Sequence, residues 1–71
     1  MNTPIPTPQE TLEALDRQKL AVTVEEAARL LSLNRTKVYA LCTRGELRSL
    51  KIGRSRRIPV AALHEYLGVS Q

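Results

Sequence analysis

Thr23-Val-Glu-Glu-Ala-Ala-Arg-Leu-Leu-Ser-Leu-Asn-Arg-Thr-Lys-Val-Tyr-Ala-Leu-Cys-Thr-Arg-Gly45 decides the fold. Thr23 and Glu26 stand three apart, as the two halves of a capping box do, and Glu25 and Glu26 sit where a helix dipole favours acids. Val24, Ala27, Ala28 and Leu31 recur at helical spacing, so one face of this segment is apolar. Ser32-Leu33-Asn34 is then a very short connection. Asn34 is a good N-cap for a second helix, predicted from Arg35 to about Arg44, with Gly45 where a terminating glycine belongs. Val38, Leu41 and Cys42 form its inward stripe.

The opposite face of this second helix carries Thr36, Tyr39, Ala40 and Thr43, flanked by Arg35, Lys37 and Arg44. It has no acid and no bulky aliphatic residue. Two short helices joined by a three-residue turn, the second basic outside, form the sequence image of a helix-turn-helix.

Downstream of Gly45 the apolar period changes from 3.6 to 2. Leu50 and Ile52 alternate with Ser49 and Lys51, which predicts a half-buried strand. Gly53-Arg54-Ser55 reads as a tight turn, and Arg56-Arg57-Ile58 as a return strand with Ile58 inward. Lys51, Arg54, Ser55, Arg56 and Arg57 therefore lie on a two-stranded hairpin. Pro59 opens a last helix with Val60, Leu63 and Leu67 on one face, and Gly68 ends it. Upstream, Thr7, Pro8 and Glu10 predict the start of another helix, with Leu12 and Leu15 as a thin apolar stripe. The expected layout is a disordered or extended tail over 1–7, a short helical extension over 8–20, a domain over 21–68 and a short tail over 69–71.

Composition narrows the function. The 71 residues hold 11 Lys+Arg against 7 Asp+Glu, a formal net charge of +4. The charge is uneven: residues 34–71 carry eight bases and two acids, and all eight bases fall between Arg35 and Arg57. A dense basic segment on a folded domain attracts a polyanion by releasing its counterions. The two aromatics, Tyr39 and Tyr66, are too few for a base-stacking platform. One Cys and one His leave no tetrahedral zinc set and no Cys/His catalytic constellation, and the three glycines are isolated, so no enzyme, cofactor or metal is expected. No apolar run approaches a membrane span, and no secretory signal is visible. A soluble intracellular protein is expected.

The outer face of residues 35–44 has the character of a recognition helix, since threonine and arginine can bond bases or phosphates in the major groove. Its alternative is an ordinary basic surface helix. The basic hairpin suits a wing along phosphates or in the minor groove, although basic charge also guards an edge strand against aggregation. Tyr39 is read as a phosphate contact, with half-buried packing at the helix edge as the alternative, Cys42 as an apolar filler, His64 as packing or surface, and Tyr66 as core.

Val22 to Leu31, Asn34 to Tyr39, Arg44 to Leu47, Lys51 to Arg54 and Arg57 to Pro59 together resemble the excisionase-type domains. These belong to the winged-helix superfamily that includes the DNA-binding heads of MerR-type regulators. The resemblance spans about residues 20–68. It implies a mainly α fold with a small β-hairpin, a winged helix-turn-helix: helix-turn-helix, two-stranded wing, C-terminal helix. It further implies that Arg35, Thr36, Lys37 and Tyr39 contact DNA from the helix, and Arg54 and Arg56 from the wing. Members often carry a basic or polar residue after the tyrosine. Ala40 stands there in this chain, which shifts specificity toward apolar contact or DNA shape.

The function expected from this likeness is that of an excisionase, or recombination directionality factor. Such a protein binds repeated sites on duplex DNA, self-associates cooperatively on them, bends the DNA and assists a tyrosine integrase. A small transcriptional repressor built on the same domain is the alternative. A third reading is an adaptor whose basic face binds an acidic protein.

Overall fold

The structure is a computed structural model that describes residues 4–68. The predicted capping box at Thr23 is formed. The Thr23 hydroxyl accepts from the Glu26 amide at 3.1 Å, and the Glu26 carboxylate accepts from the Thr23 amide at 3.0 Å. The helix it opens, α2, runs Val24–Leu31, and α3 runs Arg35–Thr43. Between them Ser32 takes a positive φ of 59°, a conformation that costs a non-glycine residue some energy. The gain is a Schellman ending: Leu33 N–H donates to the Ala28 carbonyl at 2.8 Å, and Ser32 N–H to Arg29 at 3.2 Å. The chain thereby reverses within three residues, and the Asn34 side chain accepts from the Lys37 amide at 2.8 Å to start α3.

Five further elements complete the winged helix-turn-helix. They are α1 (Pro8–Gln18), β1 (Ala21–Thr23), β2 (Leu50–Ile52), β3 (Ser55–Pro59) and α4 (Val60–Leu67). Helix α1 is opened by the predicted capping box, with Thr7 and Glu10 bonding each other's amides at 2.8 and 3.2 Å. The β2–β3 hairpin turns through Gly53 and Arg54, with Ile52 paired to Ser55. Gly53 carries the positive φ (63°) that such a two-residue loop requires, so Ser55 belongs to the strand and not to the turn.

The wing differs from the expected two-stranded form. β1 pairs antiparallel with β3, Val22 opposite Ile58, giving a three-stranded sheet in the order β1-β3-β2. Its last residue, Thr23, is the α2 cap itself, and three residues are too short a run to show a period of their own. Pro59 also moves. It ends β3 opposite Ala21 and caps α4, and the helix begins at Val60.

The core is apolar throughout: Val24, Ala27 and Ala28 of α2, Val38 and Leu41 of α3, Leu47, Ile58 of β3, and Ala62 and Leu63 of α4. Leu47 is 1% exposed although it lies in the loop after α3. Its amide and that of Glu46 both bond the Leu41 carbonyl, which folds the loop back under the helix. Three expectations are corrected here. Tyr66 (38% exposed) and Leu67 lie on the surface of α4, and Leu50 is also exposed at the edge of the sheet. The α4 helix is only eight residues long and reaches the core through Ala62 and Leu63 instead. Cys42 is half-buried and packs against the core, and His64 is exposed. Among the described residues no helix is long and apolar enough to cross a membrane. The tail at 69–71 and residues 1–3 of the N-terminal tail lie outside the described residues; Pro4 to Thr7 have no regular secondary structure.

Candidate nucleic-acid interface

α3 buries Val38 and Leu41 and so turns its other side outward. Arg35, Thr36, Lys37, Tyr39, Thr43 and Arg44 are exposed there, with Ala40 half-buried between them. The capped N-terminal turn of α3 faces the hairpin across an open, polar groove of about 290 Å³. Arg35 and Tyr39 line it from α3, Arg54, Ser55 and Arg56 from the wing, and Thr23 and Glu25 from the start of α2. The helix-turn-helix fixes the first of these walls and the β2–β3 register fixes the second. Residues 35 and 56 are brought together by tertiary folding alone.

Strand parity sorts the wing cations. Paired residues of an antiparallel ladder point to the same face. Lys51 and Arg56 pair, and lie on the face that carries Ile58 and Val22, toward the helices. Arg57 lies on the opposite face. It borders the groove, but its Nε and Nη2 donate to the two carboxylate oxygens of Asp16 on α1, at 3.2 and 3.3 Å. Arg56 Nη1 donates to the Ser49 hydroxyl at 2.6 Å, which steadies it without neutralising it. Arg54 sits at the tip of the turn and is exposed to solvent on the wing.

Ion pairing divides the basic residues further. Arg35 pairs with Glu25 at 3.5 Å, Arg44 with Glu46 at 2.8 Å, and Arg48 with Glu65 at 3.0 Å. Lys37, Lys51, Arg54 and Arg56 have no acidic partner among the described residues. Thr43 and Arg44 lie at the far end of α3 and do not line the groove. The sequence reading did not single out Thr23 and Glu25 as part of this wall. Their only signal was the capping box, which places a helix N-terminus but does not say what faces it.

The arrangement has the shape and charge of a duplex-reading surface. A B-form major groove is wide enough for one α-helix, and a β-ribbon beside it can follow the backbone or the minor groove. Hydroxyl and guanidinium groups on α3 offer hydrogen-bond donors and acceptors on its outer face, and the guanidinium and ammonium groups of the wing offer charged donors.

Comparison with known proteins agrees. A family described as "Helix-turn-helix domain" matches residues 21–68, from the first residue of β1 to the cap of α4. Over 48 residues the chain is 54% identical to a "Probable excisionase" of Saccharopolyspora erythraea, covering 68% of this chain and 49% of that protein. Over 49 residues it is 39% identical to a "Putative DNA-binding protein" of Mycobacterium tuberculosis, found in two strains, covering 69% of this chain and 63% of each relative. The chain thus spans about half to under two thirds of the length of these curated relatives. No solved structure matches it. With the capped α2–turn–α3 pair, the sheet that flanks it and a family match over the whole of both, the chain belongs to the helix-turn-helix domain family, in a winged form.

Proposed function

We propose that the chain is a sequence-specific double-stranded DNA-binding protein that acts as an excisionase. The observation that carries this reading is the convergence of Arg35 and Tyr39 of α3 with Arg54 and Arg56 of the wing on one polar groove. In this reading α3 enters the major groove with Arg35, Thr36 and Lys37 leading, since its N-terminal turn is the one beside the wing. Tyr39 bonds a phosphate, Ala40 offers only apolar contact, and Thr43 and Arg44 reach the backbone at the far end. Lys51, Arg54, Ser55 and Arg56 follow the minor groove or its phosphates. The likeness to a probable excisionase supports the role in recombination. That role is architectural: several copies occupy repeated sites cooperatively, bend the DNA and help a tyrosine integrase to excise an element. The chemistry stays with the integrase.

The test is a gel-shift titration on duplexes selected by the chain from a random pool, with unselected DNA as competitor and circularly permuted probes to report bending. Stepwise, cooperative and bent complexes are expected. One sharp, unbent complex would favour the repressor built on the same domain. An absence of duplex binding at low salt would overturn the DNA reading and leave the adaptor.

A further inference from the structure

Helix α1 lies outside the family match, and none of its residues lines the interface groove. It is nonetheless fastened to the wing at both ends. At its start, Pro8 sits against the hairpin tip: a Cβ built on Gly53 would lie 3.1 Å from the Cβ of Pro8. Near its end, Asp16 receives both hydrogen bonds of the Arg57 fork, and the Arg57 side chain is only 17% exposed. Between the two anchors Leu12 is buried, as is Ala21 of β1, and neither belongs to the core cluster beneath α2, α3 and α4.

The spacing of the anchors is commensurate. Eight residues of helix from Pro8 to Asp16 advance about 12 Å. Four residues of hairpin from Gly53 to Arg57 advance at most about 13 Å. The register places Ala21, Leu50, Ile52 and Arg57 on one face of the sheet, opposite Ile58. The sheet is thus held between α1 and the core. The wing needs such support. β2 has three residues and a single ladder partner, and an isolated two-stranded hairpin is marginal in water.

We propose that α1 is a strut that fixes the wing in position beside α3, with Asp16 a positioning residue acting through Arg57. This rests on the DNA-binding reading above and deepens it. Arg57 serves the strut, and the wing meets DNA through Lys51, Arg54 and Arg56.

The experiment uses the full chain carrying Asp16→Lys, which sets two cations face to face and makes the protein more positive. Generic attraction to a polyanion would then raise affinity for any duplex. A lost strut does something else. In the free protein, amide exchange over residues 50–57 is expected to rise about fivefold, while Val38 and Leu41 keep their protection. On a duplex selected from a random pool, the hydroxyl-radical footprint of the wing is expected to weaken while that of α3 remains. The double variant Asp16→Lys with Arg57→Glu is expected to restore both. Should Asp16→Lys unfold the chain, Asp16→Asn gives the same readouts with a smaller rise. Unchanged hairpin exchange, or a wing footprint that only strengthens, would overturn the strut. A wild-type chain with no footprint would overturn the DNA reading, and the exchange measurement would still decide whether α1 holds the hairpin.

Discussion

The guanidinium of Arg35 and the carboxylate of Glu25 stand 3.5 Å apart, joining the first turn of α3 to the first turn of α2. Both side chains are 66% exposed, so water and salt screen the pair and DNA phosphates can compete for the arginine. An exposed pair of this kind contributes about 0.2–1 kcal/mol. Glu25→Gln should therefore free Arg35 and raise affinity for any duplex by about two- to fivefold, most clearly at low salt. Fluorescence anisotropy on a random duplex measures this. An unchanged affinity would remove Arg35 from the contact set.

The wing and the helix should fail differently. If the wing follows the backbone as proposed, Arg54→Ala with Arg56→Ala removes two phosphate donors, so the slope of log affinity against log salt should flatten by about 1.8, at about 0.9 per contact. Affinity should fall for cognate and random duplexes alike. Thr36→Ala should instead erode discrimination between them, by about 1–3 kcal/mol if it makes a good base contact. Titrations of both duplexes at several salt concentrations separate the two outcomes. A salt slope unmoved by the double change would take the wing off the DNA.

The parts of this fold legible in the sequence are those set by local signals. Thr7 with Glu10, Thr23 with Glu26 and Asn34 each announce a helix start, and their side chains make the expected bonds. Gly45 and Gly53 mark two of the turns that take a positive φ, whereas Ser32 does so without a glycine to announce it. What escaped detection depends on residues distant in sequence. β1 exists because Val22 finds Ile58 across the whole helix-turn-helix. Arg56 and Arg57 look alike in sequence, yet one step of strand parity sends one toward α3 and the other to Asp16. Tyr66 has the composition of a core residue, but α4 reaches the core through Ala62 and Leu63 and leaves it on the surface.

Leu47 offers the sharpest test of the core. It lies in no regular element and shows no period, but its side chain is nearly fully buried beneath α3. Leu47→Ala should cost about 2–5 kcal/mol, from lost transfer energy and the cavity left behind. Small domains often hold little more than about 5 kcal/mol in total, so much of the population should unfold. Leu67→Ala, at a position 59% exposed, should move stability by no more than about 0.5 kcal/mol. Denaturant midpoints for the two variants measure the contrast. Equal shifts would mean that the loop carrying Leu47 is not docked as described.

The capping box of α2 should make stability depend on pH through Glu26. The backbone N–H of Thr23, then its side chain, hold the Glu26 carboxyl below its ordinary value of 4.5; burial opposes them, and the lesser charge effects of Arg29 and Asp16 act in opposite directions. A folded-state pKa lower than the unfolded one means that the unfolded chain takes up its proton first as the solution is acidified. The stabilisation is therefore complete above about pH 4.5 and is lost as pH falls through the lower folded value. Glu26→Gln keeps a side-chain oxygen for the Thr23 amide but carries no charge to titrate. Wild type should melt at a higher temperature than Glu26→Gln at about pH 6, and the gap should close toward about pH 3. Subtracting the variant removes whatever the two proteins share and leaves the part that belongs to Glu26. A gap that stays constant across this range would assign the stabilisation to hydrogen-bond geometry alone and not to the charge on Glu26.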